Sequence, residues 1–352
     1  MNFGIVFPSY IEAWKEAEIA EANGFTHAWF YDSQLLYSDV YATMALVAEH
    51  TQTLTLGTLV AIPSNRIAPV TASAIATINA LAPGRVILGL GTGFTGRNTM
   101  GMPAVTIAAL ERYVEQVRAL LAGEDVLFRQ GKYERWIRLL QSATEKPATV
   151  NLEDPIPIHI AANAPRSMEL TGRLGDGWIT VAVPPEAFEA CYAMIGAATK
   201  PHTTFLTTGC LLRDGESRTS PRVVNRVGPV AVVPVHAAWE TAHGGAGFNL
   251  SDDESARAYG EYIDKIADGR DSPADRRYLD VHEGHMMYMK PGEERFVSEE
   301  LVAGTLTGHA DEVLERVRAL RDAGVDNLAL QVVGETGREM IEEFSREIIG
   351  RL

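Results

Sequence analysis

The feature that most constrains the fold of this chain is a rhythm. Short apolar runs alternate with longer helical segments from the first residues to the last. Runs at 3–7, 27–31, 54–60, 86–90, 158–162, 178–183, 203–212 and 328–332 read as strands. Helical spacing follows at 10–22, 40–49, 70–81, from near Val105, after Pro165, from Pro185, and at 312–323 and 335–349. Asn23-Gly24 stops the first helix, Asp39 is placed to cap the second, and Gly308-His-Ala-Asp311 to cap the helix at 312–323. Strands that are apolar along their whole length are covered on both faces, which is the signature of a parallel sheet under helices. Eight such units in 352 residues fit an α/β fold of the (β/α)8 TIM-barrel type better than an open doubly wound sheet, with residues 1–352 as one domain.

Two stretches depart from the rhythm. Residues 126–130 and 133–139 flank Gly131-Lys132 as a β-hairpin, and a proline-punctuated connector at 147–157 leads into the fifth strand. After the seventh strand, residues 213–298 lose the alternation, keeping helical spacing only near 223–239 and 254–268. A loop of this length is an insertion, expected to cover the barrel mouth or to form an interface.

The formal charge of −15 argues against a nucleic-acid or anionic-membrane partner. Cys191 and Cys210 fit no disulfide or metal framework, and the N-terminal residues lack the charge pattern of a signal peptide, so a cytoplasmic setting is expected.

Four glycines crowd the exit of the fourth strand: Gly89, Gly91, Gly93 and Gly96. Glycine lets backbone N–H groups lie directly against a flat or anionic ligand. The run spells GxGxxG, but a dinucleotide fingerprint opens a helix at once and is followed by an acid about 20 residues on, at the end of the next strand. Here Pro103 intervenes and Glu111 falls inside a helix, so a glycine-rich exit from a barrel strand is the better account. Ligands of such barrels bind at the C-terminal strand ends. Those ends carry Asp32-Ser33, residues 60–66, 91–97 and 161–166, and the segment after Leu212. Arg66, Arg97 and Arg166 are the candidate anion ligands, the last at a helix start where backbone N–H groups also face outward.

On these residues the chain resembles the luciferase-like monooxygenases and their deazaflavin-dependent relatives. The resemblance rests on Ala28-Trp-Phe-Tyr-Asp-Ser33, on Leu56-Gly-Thr-Leu-Val-Ala-Ile-Pro63 with Arg66 and Pro69, and on the run from Gly89 to Arg97. It also rests on Ile160-Ala-Ala-Asn-Ala-Pro-Arg166 with Gly172-Arg-Leu-Gly-Asp-Gly-Trp178, and on Leu320-Arg-Asp-Ala-Gly-Val-Asp-Asn-Leu-Ala-Leu330. It implies coenzyme F420 or FMN in the barrel mouth, leaning to F420 through the methylene-tetrahydromethanopterin reductase branch. Asp32 and Ser33 would approach the ring head, and Leu59 and Val60 would back its centre across a non-proline cis peptide. Gly91, Thr92, Gly93 and Phe94 would lie along the ring. Ala161, Ala162, Asn163, Ala164 and Arg166 would hold the phosphate. Ser33 stands where many deazaflavin relatives have histidine, and Phe94 where one subgroup has an acid.

The resemblance further implies a homodimer acting on a small organic substrate. Three functions follow as expectations: hydride transfer with F420; oxygenation by reduced FMN from a partner reductase; or a flavin-binding barrel without chemistry. A metal-assisted or cofactor-free barrel lyase or hydrolase is the rival class. His282-Glu-Gly-His285 is not the HExxH zinc motif, because the second histidine comes one residue early. The insertion, with Trp239, Phe248, Tyr262, Tyr278 and Tyr288, is expected to wall the substrate pocket, His282 or His285 making the polar contact. A catalytic general base is open among these histidines, His236 and His243 included, and the sequence selects none of them.

Overall fold

The computed structural model describes residues 1–140, 149–245 and 253–352, so Phe248 lies outside the described residues. In chain order the first half runs β1 Asn2–Phe7, α1 Ala13–Ala22, β2 His27–Phe30, α2 Val40–His50, β3 Thr55–Thr58, α3 Ala68–Leu81, β4 Val86–Leu90, α4 Thr95–Asn98 and α5 Ile107–Leu121. The hairpin β5 Val126–Gln130 and β6 Tyr133–Ile137 follows, then β7 Ile158–Ala161, α6 Pro165–Leu174, β8 Gly177–Val181, α7 Phe188–Ile195, β9 His202–Thr207 and β10 Gly209–Leu211. The insertion holds α8 Pro221–Ala231, α9 Val233–Ala242, α10 Asp253–Asp268, α11 Arg277–His282 and α12 Glu299–Ala303. The chain closes with β11 Leu306–Gly308, α13 Ala310–Asp322, β12 Asn327–Gln331 and α14 Gly337–Glu347.

Eight strands close into one parallel barrel in the order β1-β12-β9-β8-β7-β4-β3-β2. This is the (β/α)8 architecture, with its long insertion between β9 and β12. Outward side chains of the strands pack under the helices in the main core; inward ones fill the barrel. Trp29 fills most of the barrel's width, its indole N–H bonded to Asn327 Oδ1 at 3.0 Å. A Cβ on Gly57 would stand 2.3 Å from that ring, so the neighbouring strand needs glycine there. No helix among the described residues is long and apolar enough to cross a membrane.

Where the elements differ from the sequence reading, polar groups or proline explain it. The third strand ends at Thr58, just before the cis peptide Leu59-Val60, and the Leu59 N–H still donates to the Phe30 carbonyl at 2.7 Å. The run at 203–212 is two strands: β9 stays in the barrel, and β10 turns out to pair with β11. The helix at 223–239 breaks at Val232, just before Pro234, which has no N–H to continue the ladder. Asp39 caps α2 through the Tyr41 and Ala42 N–H groups. Asp311 does not cap: α13 begins at Ala310, leaving Asp311 in the first turn, where its charge faces the positive end of the dipole. The last helix starts at Gly337, after a single tight turn, and the first at Ala13.

At the N-terminal end of the barrel three histidines stack beneath Trp29. The ring centres of His159 and His202 are 5.2 Å apart, and those of His27 and Trp29 5.7 Å. Burial, helped by the mutual proximity of the rings, pushes His27 down to about 4 and His159 down to about 3. Burial also lowers His202, against the pull of Asp326. All three are therefore neutral in the folded state, whereas an unfolded chain takes up protons below about pH 6.5. The sign follows: stability is full above that pH and is lost as pH falls toward the folded values, by at most about 1.4 kcal/mol per pH unit per histidine. Thermal midpoints recorded between neutral pH and about pH 4 should fall steeply. His159→Leu should flatten that limb, and an unchanged limb would place the acid sensitivity elsewhere.

Candidate active site at the barrel mouth

Every parallel strand delivers its C-terminal end to the same rim, so the exits of β2, β3, β4 and β7 meet there. Leu59 is buried and Val60 half-buried, beside Ala161, Leu206, Tyr37 and Met286, over the apolar filling of the barrel. Gly91 lies against this surface, and a Cβ there would come within 2.6 Å of Val60 Cγ2 and 3.3 Å of Ala161 Cβ. The exit of β4 is thereby kept low, and Thr92 is tied to the following loop by its carbonyl, which accepts from Val105 N–H. Gly93 takes φ +81°, a turn that L residues avoid, and brings Phe94 and Thr95 to the rim.

Asp32 is buried, and its carboxylate is occupied. Arg66 donates through Nη1 to both oxygens at 2.9 and 3.0 Å, and the Ile62 N–H donates at 3.4 Å. The same guanidinium also bonds Asp39 through Nη2 and lies over the Tyr41 ring. Arg66 therefore joins two carboxylates from the β2 exit, and these hold its proton even more firmly than usual against the opposing effect of burial. Ser33 is half-buried and, among the described residues, its hydroxyl has no partner. Arg97 donates from Nε to the Pro103 carbonyl at 2.9 Å.

The β7 exit is arranged differently. Ala162 is buried and donates its N–H to the Ile179 carbonyl at 3.0 Å, while Asn163 bridges to β8, donating to the Val181 carbonyl at 2.7 Å. The Ala164 N–H is capped by Ser167 Oγ at 3.2 Å, and Pro165 occupies the first turn of α6. Arg166 is exposed and, among the described residues, carries no ion pair. It sits in the first turn, where the helix dipole favours anions; Pro165 has no N–H and the Ser167 N–H already donates to the Ala164 carbonyl.

The insertion crosses the rim through residues 282–289. Tyr37 donates its hydroxyl to the His285 carbonyl at 2.9 Å, and Gln331 Nε2 donates to the Met286 carbonyl at 2.9 Å. His285 Nε2 stands 3.3 Å from Thr95 Oγ1. His282 turns the other way, into the insertion, with Nε2 2.7 Å from Glu240 Oε1. Of the two histidines singled out, His285 reaches the mouth. The sequence leaves His236 among the unselected general-base candidates and does not point to Thr95, Tyr37, Gln331 or Glu293. Thr95 follows the glycine run directly, which is a usable signal; Glu293 lies in an irregular stretch that offers none.

Residues 6–327 match the sequence profile described as luciferase-like monooxygenase. The chain belongs to that family. Within it, the chain is 27% identical, over the full length of both proteins, to a 5,10-methylenetetrahydromethanopterin reductase of Archaeoglobus fulgidus. It is 32% identical to the enzyme of the same name from Methanolobus tindarius over 57% of this chain and 60% of that one. It is 36% identical to an F420-dependent hydroxymycolic acid dehydrogenase of Mycobacterium tuberculosis over 47% of this chain and 48% of that one. These last two matches cover less than two thirds of the relative's length. Among solved structures, the coenzyme F420-dependent tetrahydromethanopterin reductase of Methanopyrus kandleri superposes with a TM-score of 0.70 at 21% identity, covering 99% of both chains. The oxygenating constituent of a diketocamphane monooxygenase of Pseudomonas putida, solved with FMN, superposes with a TM-score of 0.61 at 13% identity, covering 100% of this chain and 99% of that one. Both likenesses concern the fold.

Removing Arg66 leaves the buried Asp32 carboxylate without its counter-charge. Arg66→Ala should cost about 3 kcal/mol in chemical denaturation, the low end for a broken buried pair because the guanidinium is partly exposed. Lysine should not restore it, since one ammonium cannot reproduce a fork serving two carboxylates. A loss below about 0.5 kcal/mol would show that the pair does not organise the rim.

Proposed function

We propose that this protein is an oxidoreductase that binds coenzyme F420, or else FMN, at the barrel mouth and acts on a small organic molecule there. The observation that carries this reading is the apolar rim built by Leu59, Val60, Gly91 and Ala161, with Arg166, free of ion pairs among the described residues, in the first turn of the helix that follows β7. Relatives whose names specify F420 support the choice of F420 over FMN. When bound, the deazaflavin supplies a two-electron hydride carrier. The protein's own share is to hold and to shield. The cis segment and the glycine exit offer an apolar face for a planar ring. Ala161, Ala162, Asn163, Ala164 and Arg166 offer the phosphate site, Arg166 supplying charge and the α6 opening supplying N–H groups. Residues 282–289 roof the rim and exclude water from it. Asp32 serves by fixing Arg66 and the Ile62 N–H, and so the shape of the β2 and β3 exits. Met286, Leu206 and Tyr37 form the apolar wall on the substrate side. Exposed Leu127, Tyr133 and Trp136 on the β5–β6 hairpin support a homodimer, which a solution mass would test.

The cofactor assignment is tested by titrating the purified protein with F420 and with FMN, following absorbance and fluorescence. Saturable binding of F420 is the expected result. Arg166→Ala should weaken that binding about ten- to hundred-fold, the value of one charge-assisted contact. It should leave stability within about 0.5 kcal/mol, because the side chain is exposed and, among the described residues, makes no hydrogen bond or ion pair. Unchanged affinity would move the anion site to Arg97. Binding of FMN alone would favour oxygenation with a partner reductase, and binding of neither would reject the reading.

A further inference from the structure

A chain of buried hydrogen bonds leads from the rim into the insertion, and its polarity can be deduced. It ends at Glu293, whose side chain is 1% exposed. Glu293 Oε1 receives the Tyr259 hydroxyl at 2.5 Å, Lys290 Nζ at 2.7 Å and His236 Nε2 at 3.0 Å; Oε2 receives the Lys290 N–H at 2.9 Å. Burial alone would raise this carboxyl, but the donors and charges of His236 and Lys290 outweigh it and hold it down at about 2. Lys290 spends its other two protons on the Val281 and Glu283 carbonyls. Glu293 is thus an ionised acceptor, and His236 must present Nε2–H to it.

The next links follow by elimination. Burial pushes His236 down to about 4, against Glu293, and drives His285 well below the ordinary imidazole range, so both rings are neutral near neutral pH. A neutral ring that donates from Nε2 has a bare Nδ1. His236 Nδ1 lies 3.1 Å from His285 Nδ1, so the hydrogen between them belongs to His285. His285 Nε2 is then a bare lone pair, and the Thr95 hydroxyl 3.3 Å away must donate to it. Among the described residues, the groups facing the two rings from the surrounding elements are Tyr259, His282, Lys290 and Glu293, with Glu240 behind His282. None of them offers a competing donor to His285 Nε2. Thr95 is half-buried at the end of the glycine exit, and with its own hydrogen turned inward it shows the mouth only lone pairs.

We propose that Thr95 accepts the substrate's proton, backed by the relay His285–His236–Glu293, and that the site therefore takes a substrate whose reacting group is an O–H donor, an alcohol carbon. This rests on the oxidoreductase reading above. In the oxidising direction the carbinol C–H bond breaks, its electron pair leaving as hydride to the bound deazaflavin, while the O–H pair becomes the carbonyl π bond. The hydroxyl proton passes to Thr95 Oγ1, the Thr95 proton to His285 Nε2, and the His285 Nδ1 proton to His236 Nδ1. The alcohol loses two electrons and two hydrogens. The carrier gains the hydride, and one positive charge rests on His236 against Glu293. Reverse transfer returns the proton to water at the mouth once product has left.

The first test uses the protein without added cofactor. Long-range proton–nitrogen NMR correlation on histidine-labelled protein near neutral pH should show His285 protonated at Nδ1 and bare at Nε2, with His236 the reverse. Thr95→Val, an isosteric change at a half-buried site, should shift the His285 Nε2 signal and leave the fold intact. A proton on His285 Nε2 would overturn the inference. The second test follows the F420 titration, with isopropanol, sec-butanol and cyclohexanol as probes and deazaflavin absorbance as readout. Wild-type protein should reduce the cofactor. Thr95→Val should lower kcat about 100-fold or more, the scale of a lost proton-transfer group, with KM and cofactor affinity changed less than about three-fold. Thr95→Ser should restore most of the rate. Bound F420 that none of these alcohols reduces, or full kcat in Thr95→Val, would overturn this inference and leave the cofactor reading standing. Failure to bind either cofactor would overturn that reading, while the imidazole spectra would still decide the order of protons.

Discussion

Everything at the mouth depends on the parallel closure of the barrel. A parallel ladder cannot turn back on itself, so each strand must leave by the same rim, and each exit must be an irregular piece of backbone. Four of those pieces are specialised here. The β3 exit turns through the cis peptide at Leu59-Val60, and the β4 exit stays low because Gly91 has no side chain. The β7 exit opens a helix toward the rim, and the β2 exit is held to the β3 exit by Asp32 and Arg66. None of these features binds anything alone. Closure makes them neighbours, and the ion pair fixes the distance between two of them.

The insertion is a second, smaller body with its own core around Trp239, Tyr259, Tyr262 and Ile263. Its attachment is polar as well as apolar. β10 and β11 pair across its two ends, and Arg226, fully buried, binds Glu343 at 2.5 Å and also Glu339 on α14. Buried charges are costly unless every donor and acceptor is met, and a half-met network is worse than an apolar one. Glu293 meets that condition with four donors. A saturated network of this kind has few alternative arrangements, so it fixes one position of the 282–289 segment across the rim rather than a range of them. The same saturation assigns the hydrogens along the histidine chain.

Much of the barrel was legible because parallel strands are uniformly apolar and helices follow them at constant intervals. The exits at Leu59-Val60 and the glycine run were legible for a related reason: glycine and resemblance both mark backbone that must come close to something. Legibility stopped where contacts depend on tertiary placement. Arg66 looked like an anion ligand because nothing local shows that Asp32 and Asp39, 34 and 27 residues away, converge on it. His282 and His285 could share a helix face by spacing. In the structure α11 ends at His282 and Gly284 at φ +72° takes the chain off the helix, so the two rings sit edge to face 5.2 Å apart and hold different partners, Glu240 and Thr95. The split between β9 and β10 is a tertiary decision too, made by a partner strand nearly a hundred residues later, whereas the break at Val232 is local and follows from Pro234.

Charge explains why the arginines are sorted as they are. With 31 basic and 46 acidic residues the protein carries −15, and a phosphate-bearing cofactor approaches an unfavourable field. At physiological ionic strength that field is screened beyond about 8–10 Å, so the final approach is decided by the few charges nearest the rim. An arginine already shared by two carboxylates contributes no net positive charge there, which describes Arg66. Arg97 is oriented by the Pro103 carbonyl. Arg166 is exposed with no ion pair among the described residues, and it stands at the start of a helix whose dipole adds a fixed positive potential. The rim thus separates two demands on the same residue type. One arginine is tied to two carboxylates that fix backbone geometry at the rim, and another is left exposed, so under the proposed reading the shape of the site and its attraction for an anion can be changed independently.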